Sequence, residues 1–182
     1  MTTFRILAIS GSLRARSSNT ELLKAAALVA APGTVVGLFD GIGALPHFNP
    51  DVDAEGAILP VEVERLRSAI AASDALLISS PEYAHGVPGS LKNALDWLVS
   101  GPEMVEKPVA LLNASSRSTH AHLSLAETLR TMSAALVPGA DDVVALDARK
   151  LDAAEIAADR ELAGALRRAL RALEDFARAG TS

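Results

Sequence analysis

A short segment rich in hydroxyl, amide and guanidinium side chains follows the first apolar run of the sequence. It reads Ser10-Gly11-Ser12-Leu13-Arg14-Ala15-Arg16-Ser17-Ser18-Asn19-Thr20. Its one glycine permits a tight turn, and the free amide groups and dipole of a following helix favour an anion. Arg14 can donate two charge-assisted hydrogen bonds, which suits a dianionic phosphomonoester. The segment therefore indicates a site for the phosphate of a mononucleotide.

Three other interpretations of this segment are weaker. Ser18 with Glu21 fits a capping box, but helix capping alone explains neither the arginines nor the number of donors. A Walker loop requires Gly-Lys-Ser/Thr, and the segment has no lysine. The dinucleotide fingerprint requires three spaced glycines, and only Gly11 is present.

A second segment with functional character covers residues 79–97. Pro81 ends an apolar run, and Gly86 and Pro88 shape the loop before the next helix. Such a rigid loop, rich in backbone donors and acceptors, could line the edge of a flat heterocycle. The phosphate of the same ligand would then lie in the first segment, so that the two loops share one ligand.

Apolar runs of strand length alternate along the chain with stretches of helical periodicity. The apolar runs cover residues 4–9, 34–39, 74–79, 109–113 and, less clearly, 136–146. The helical stretches cover residues 21–30, 61–72, 90–99 and 122–133, and a last helix begins with a capping box of Asp152 and Glu155 and continues to Ala177. Parallel strands need long crossovers, so the alternation predicts a doubly wound α/β fold, a five-stranded parallel sheet in a three-layer αβα sandwich. Ligands of such sheets bind beyond the carboxyl ends of the strands, where both segments lie.

The composition narrows the classes of function. The chain has 182 residues, 49% of them hydrophobic, and we expect one domain over residues 1–182. Its net charge is −5 and its pI about 5.3, so we expect no nucleic-acid partner. It contains no cysteine, which excludes disulfides, thiol nucleophiles and iron–sulfur clusters. The sequence shows no basic leader and no run near the ~18 apolar residues of a membrane span, so we expect a cytoplasmic protein without a membrane partner.

The two segments together resemble the motifs of the NADPH-dependent FMN reductase family, a flavodoxin-like group that includes chromate, quinone and azo-dye reductases. The first motif is present as Gly11-Ser12-Leu13-Arg14 followed by Ser17 and Asn19. The second is present as Pro81-Glu82-Tyr83, Pro88-Gly89, Leu91-Lys92-Asn93-Ala94 and Asp96-Trp97. A third family segment matches Ala114-Ser115-Ser116. The resemblance covers nearly the whole chain, with the motifs in the family's order.

The resemblance implies an oxidoreductase that passes electrons from NAD(P)H through bound FMN to a small acceptor such as a quinone, a flavin, an azo compound or an oxidised metal ion. The cofactors would be FMN and NADPH, with NADH also possible, and the chemistry would take place on FMN without a catalytic side chain or a metal. The implied cofactor-binding residues are Ser12, Leu13, Arg14, Ser17, Ser18, Asn19, Pro81, Glu82, Tyr83, Ala84, His85, Ser115 and Ser116. A homodimer or homotetramer is implied too, because the family builds its active site near a subunit boundary. The helix predicted near residues 91–98, with apolar residues on more than one face, could meet a partner subunit.

The chain departs from the family pattern at two places. The family usually has Asn where Ala84 stands, and two glycines where Ala121 and His122 stand. Glycine lets the backbone lie close under a bound nicotinamide, whereas His122 adds bulk and a hydrogen-bonding group. His122 could therefore restrict the acceptor, or it could point to solvent at the start of the fourth helix.

Several polar residues near these segments have competing interpretations. His120 and His122 are two apart, but a third metal ligand at a recognisable spacing is missing. His85 could contact the nucleotide or the acceptor, or it could be a plain loop residue. Glu82 resembles an acid/base group, yet hydride transfer needs no protein base, so we expect a positioning role. Ser115 lacks the Gly-x-Ser-x-Gly context of a hydrolase nucleophile.

Two other functions fit part of the pattern. A flavodoxin-like electron carrier would dock on protein partners and would have no small-molecule substrate. Arg14 argues against it, because the phosphate loops of flavodoxins are typically rich in Ser and Thr and lack a guanidinium. A regulatory module would bind a mononucleotide without turnover.

Overall fold

Five parallel strands form one sheet in the computed structural model, which describes residues 3–54, 56–140, 144–146 and 149–180. The strands are β1 Phe4–Ser10, β2 Thr34–Phe39, β3 Ala75–Ser79, β4 Pro108–Leu112 and β5 Ala135–Leu136. Their order in the sheet is β2-β1-β3-β4-β5, and every neighbouring pair is parallel. This confirms the predicted doubly wound, flavodoxin-like α/β fold. The strand order reverses at β1 and β3, so the loops that follow these two strands are neighbours.

Helices cover both faces of the sheet. Within the described residues they are α1 Ser18–Val29, α2 Val61–Ala71, α3 Gly89–Asp96, α4 His120–Thr131, α5 Ala153–Ala158 and α6 Arg160–Ala179, with a 3₁₀ turn at Pro50–Val52. Successive residues of β3 face opposite layers, as the pleat of a strand requires. Leu77 packs in a core with α1, α5 and α6, whereas Leu76 and Ile78 pack with α2, α3 and α4. The predicted three-layer sandwich is therefore confirmed.

The fifth strand is much shorter than predicted. It was expected over residues 136–146 but spans only Ala135–Leu136, and the Val137 N–H adds one further bond to the Val109 carbonyl at 3.0 Å. Pro138 has no N–H to donate, and Gly139 adopts φ +75°, so the chain leaves the sheet here. Residues 144–146 are not strand, and residues 141–143 of the predicted run lie outside the described residues.

The last helix is two helices rather than one. The predicted capping box forms, because the Asp152 carboxylate accepts the Glu155 N–H and the Glu155 carboxylate accepts the Asp152 N–H, both at 2.9 Å. Asp159 then interrupts the helix with extended backbone angles (φ −71°, ψ 122°). Its carboxylate accepts the N–H groups of Glu161 and Leu162 at 3.0 and 3.1 Å and so begins α6. The Leu162 N–H is the largest cause of the lowered pKa of Asp159.

The other helices and strands begin and end within three residues of their predicted bounds. No helix in the described part of the chain has both the length and the apolar character needed to cross a bilayer.

A buried ion pair connects the segment between β2 and α2 to the rest of the fold. Arg67 Nη2 on α2 lies 2.9 Å from Asp53 Oδ1, and the two side chains are 16% and 5% exposed. The same nitrogen donates to the Trp97 carbonyl and to Ser100 Oγ, both at 2.7 Å. Ser100 Oγ donates in turn to Asp53 Oδ2 at 2.6 Å. One guanidinium thus joins α2, residue 53 and the end of α3.

Candidate functional site

Three loops meet at the carboxyl end of the sheet, and they follow β1, β3 and β4. The Gly11 N–H donates to the Ser79 carbonyl at 2.8 Å. A Cβ at Gly11 would lie 2.4 Å from Ser80 Oγ, so a residue without a side chain is needed at this close approach. Ser79 Oγ donates to Asn19 Oδ1 at 2.8 Å, which ties the end of β3 to the first turn of α1. The first two predicted segments are therefore in direct contact.

A cleft of about 420 Å³ opens where the three loops meet, within the range of roughly 300–1,000 Å³ usual for small-molecule sites. Five of the predicted site residues line it: Ser18, Asn19, Pro81, Glu82 and Ser115. The remaining eight lie in the same loops but outside the lining: Ser12, Leu13, Arg14, Ser17, Tyr83, Ala84, His85 and Ser116. The structure thus brings the three predicted segments together around one cleft.

The first turn of α1 is capped by Ser17 rather than by the Ser18 of the alternative interpretation. Ser17, not Ser18, is the N-cap residue, and its hydroxyl accepts the Thr20 N–H at 3.4 Å. The capping box of Ser18 and Glu21, the weaker interpretation of this segment, does not form. The Glu21 carboxylate accepts the Ala153 N–H at 3.0 Å instead, because the first N–H groups of α5 also need acceptors.

The β1 loop leaves several donors available. In the described structure no group accepts the N–H of Ser18 or Asn19, which are the first two of α1. The Arg14 guanidinium is exposed, and no described residue pairs with it. Ser12 is buried and shapes the loop, since its hydroxyl accepts the Arg14 N–H at 3.3 Å. Leu13 points outward and is 61% exposed. A helix N-terminus, free N–H groups and a free guanidinium fit a phosphomonoester.

The loop after β3 contains a tight turn of unusual composition. Tyr83 and Gly86 exchange two backbone hydrogen bonds of 3.1 and 2.9 Å. The two residues between them are left-handed, with φ +50° at Ala84 and +59° at His85. Two-residue turns of this kind prefer Asn and Gly, because other residues cost roughly 1–2 kcal/mol each in this conformation. The turn is therefore strained, and it lies beside the cleft.

This loop is joined to α4 by two contacts. Glu82 Oε2 accepts the Ala121 N–H at 2.9 Å and so caps a helix whose N-cap residue, Thr119, makes no side-chain cap bond. The rings of His85 and His120 stack with their centroids 4.4 Å apart and their planes at 22°. His122 is half-buried in the first turn of α4 and is not among the described residues that line the cleft. The ring contact between α4 and the loop is made by His120.

The loop after β4 is organised by one buried amide. Asn113 Nδ2 donates to the Ser118 carbonyl at 2.7 Å, and Asn113 Oδ1 accepts the Ser115 N–H at 3.0 Å. The Ser115 N–H is therefore already used within the loop. Arg117 lines the cleft, and its guanidinium pairs with no described residue.

The family model for NADPH-dependent FMN reductases matches residues 4–147 of the chain. The chain belongs to this family. The resemblance seen in the three loop motifs is thereby confirmed.

Two curated relatives illustrate the similarity in sequence. The chain is 45% identical over 114 residues to an NAD(P)H-dependent FMN reductase of Pseudomonas aeruginosa, a stretch that covers 62% of this chain and 60% of that protein. It is 41% identical over 113 residues to an NADPH:quinone oxidoreductase of Arabidopsis thaliana, covering 60% of this chain and 57% of that one. The chain thus spans about three fifths of the length of these relatives.

Solved structures agree with the fold. The flavoenzyme NAD(P)H:(acceptor) oxidoreductase of Paracoccus denitrificans superposes with a TM-score of 0.80 at 27% identity, covering 97% of this chain and 98% of that one. The apo form of an NADH:FMN oxidoreductase has a TM-score of 0.61 at 19% identity, covering 97% of this chain and 90% of the other, and supports the fold alone.

Sequence reasoning missed five residues of the cleft in this FMN reductase family member: Ser80, Asn113, Ala114, Arg117 and Ser118. A signal for two of them was present. Asn113 comes directly after a buried strand, and Arg117 lies in the loop that follows, so the rule that ligands bind beyond the carboxyl ends of strands would have included both. The contribution of Ser118 depends on its carbonyl, which no side-chain pattern reveals.

A larger cleft of about 650 Å³ lies at the opposite end of the sheet. Residues at or before the amino ends of β1, β3 and β4 line it, among them Phe4, Asp74 and Pro108. Size alone does not decide between the two clefts. The smaller one has the strand-end position and the converging donors that ligand sites of this fold use, so it is the candidate site.

Proposed function

We propose that this chain binds FMN and passes electrons from NAD(P)H through it to a small oxidised acceptor, with quinones the first candidates. The observation that carries the proposal is the three-loop cleft: the N-terminus of α1 lines it, and the exposed Arg14 guanidinium on the adjoining loop fits a phosphate. The names of the bacterial and plant relatives support the reaction class and the quinone. In this proposal the whole chain forms one flavin-binding domain. Because it would use NAD(P)H, we propose a location in the cytoplasm.

The proposed phosphate end consists of residues on the β1 loop and the first turn of α1: Ser12, Leu13, Arg14, Ser17, Ser18 and Asn19. Asn19 is held from behind by Ser79 Oγ, so its amide nitrogen is left to donate into the cleft. Arg14 supplies the positive charge for a phosphate dianion. Because serine hydroxyls already bond to the backbone of this loop before any ligand arrives, little ordering is needed on binding.

The proposed ring end consists of the other two loops: Pro81, Glu82, Tyr83, Ala84, His85, Ser115 and Ser116. When bound, FMN supplies the hydride and electron chemistry. Glu82 is occupied by the Ala121 N–H, and its role here is to fix the loop rather than to move a proton. Arg117 brings a positive charge to the cleft wall, where it attracts an anionic or electron-rich group. The protein thus orients the reactants and excludes part of the water.

The deciding experiment combines flavin binding with nucleotide consumption. The purified protein is titrated with FMN, and oxidation of NADPH and of NADH is then followed with and without a benzoquinone. We expect FMN to bind and the quinone to accelerate nucleotide oxidation strongly. FMN binding without quinone-dependent oxidation would point to an electron carrier, and no FMN binding would contradict the proposal. Rates with free flavins, azo dyes and oxidised metal ions then rank the acceptors and the two nucleotides.

We also propose a homodimer or homotetramer, but the surface that supports it is not the helix near residues 91–98 that the sequence suggested. The apolar residues of α3, namely Leu91, Ala94 and Leu95, are buried within the chain itself, so this helix has no second apolar face to offer. Exposed apolar side chains occur instead on the segment leading into α2, at Val52, Val61 and Ile58, the last 95% exposed. We expect light scattering at micromolar concentration to give a mass at least twice 18.9 kDa. A single species of 18.9 kDa would contradict it.

A further inference from the structure

The loop after β3 and the loop that leads into α4 form two walls of the cleft. Pro81 and Glu82 line one wall, whereas Arg117 and Ser118, which lead into α4, line another. The two walls are joined by the hydrogen bond between Glu82 and Ala121 and by the stacked rings of His85 and His120. These two contacts therefore hold the loop after β3 against the start of α4.

The strained turn directs the His85 ring toward α4. Ala84 and His85 are both left-handed, and the backbone bonds between Tyr83 and Gly86 close the turn around them. Strain of this kind persists only where the surrounding structure holds it. The stack with His120 is a contact that can hold it, because it is made by the tip of the turn itself.

Two stacked imidazole rings can gain positive charge on acidification, whereas stacked Phe, Tyr or Trp rings cannot. Imidazole is the side chain whose charge ordinarily changes between about pH 5 and 8. A pair in which at most one ring is positively charged can remain stacked. Two imidazolium rings with centroids 4.4 Å apart repel each other. A positive charge on His120 is opposed further by the dipole at the start of α4.

The charged groups around the pair do not offset two added protons. Glu82 is the only acid in the loop of residues 80–88, and the first turn of α4 has none. Arg117 on the loop before α4 and His122 within its first turn add no negative charge. The Glu82 carboxylate, already accepting the Ala121 N–H, can balance one positive charge but not two.

We propose that His85 and His120 are positioning residues that together form a pH-dependent clasp. While at most one of the two rings is protonated, they hold the loop of residues 80–88 against α4 and keep the cleft at the width that binds FMN. Protonation of both rings releases the loop and weakens FMN binding. The inference rests on the proposed FMN binding and adds a control by pH to the same site.

The first test compares FMN affinity from pH 8.0 to pH 5.5 in the wild type, His120→Gln and His47→Gln. His47 is an exposed histidine on a different loop and serves as the matched control. The FMN phosphate itself gains a proton near pH 6, but that contribution is the same in all three proteins. We expect acidification from pH 8.0 to pH 5.5 to raise the dissociation constant for FMN in all three proteins. The factor of increase should be about tenfold larger in the wild type and in His47→Gln than in His120→Gln.

The second test needs no flavin. The backbone amide signal of Ala121 in flavin-free protein is followed by NMR over the same pH range, because this N–H bonds to Glu82 only while the loop is held. We expect it to shift on acidification in the wild type and to stay nearly constant in His120→Gln. If His120→Gln follows the wild type in both tests, the clasp does not exist. If the protein binds no FMN at any pH, the proposed function fails, while the NMR comparison still decides whether the clasp is real.

Discussion

Replacing Arg14 with alanine is expected to weaken FMN binding by about 10- to 150-fold, because one charge-assisted contact to a phosphate is worth about 1.5–3 kcal/mol. The guanidinium is exposed and pairs with no described residue, so its removal leaves no buried partner behind. The free energy of unfolding should therefore stay within about 0.5 kcal/mol of the wild type. Fluorescence titration with FMN measures the first quantity and thermal unfolding of the flavin-free protein the second.

A matched control is available on the outer side of α6. Arg171 is also exposed, and Arg171→Ala removes the same charge far from the three loops. Its FMN affinity should equal that of the wild type. An unchanged dissociation constant in Arg14→Ala would remove this residue from the site, and equal losses in both variants would mean that net charge, not a contact, is responsible.

Replacing Arg67 with methionine is expected to cost about 3–5 kcal/mol of folding stability, because it leaves the carboxylate of Asp53 buried without its countercharge. The Asp53 side chain is only 5% exposed, and Ser100 would remain as a neutral donor to it. The Trp97 carbonyl also loses its two bonds from the guanidinium. For a chain of this length the melting temperature should fall by roughly 6–15 °C. Thermal and urea unfolding of the flavin-free protein measure the loss.

The same helix supplies the control for this prediction. Arg65 pairs with Asp40 at the surface, with the two side chains 57% and 76% exposed. Exposed pairs are typically worth less than about 1 kcal/mol, so Arg65→Met should be nearly neutral. If the two variants lose similar free energy of unfolding, the loss in Arg67→Met reflects the removal of an arginine from α2 and not the breaking of the pair with Asp53.

Much of the fold could be predicted because the pattern of buried strands is local. β1 to β4 are short apolar runs between turn-forming residues, and their bounds follow from that alone. The errors in the predicted bounds occur where one or two residues end a helix or strand although the hydrophobic pattern continues. Asp159 starts a new helix within a continuous alanine- and leucine-rich pattern, and Pro138 with Gly139 ends β5 after two residues although apolar residues continue.

The candidate site was predictable at the level of loops but not of contacts. The motif residues identified the three loops, and the sheet topology brings these loops together. The capping role of Ser17 in place of Ser18 depends on one dihedral angle, which spacing does not determine. The stack of His85 on His120 joins two elements distant in the sequence, and no local pattern signals it. The bond from the Ser115 N–H to Asn113 is local, since an Asn side chain can accept the N–H two residues on, but the spacing alone does not require it.

The shortness of β5 has a consequence for how the protein behaves when crowded or heated. Open sheet edges can pair with strands of other molecules and so begin aggregation. The edge at β5 is two residues long and Pro138 follows two residues after its end, which makes it a poor template. The other edge, β2, has six residues and exposes Val35 and Leu38. Intermolecular strand pairing would therefore begin at β2, and a lysine at position 35 would be the substitution that protects the chain during concentration and storage.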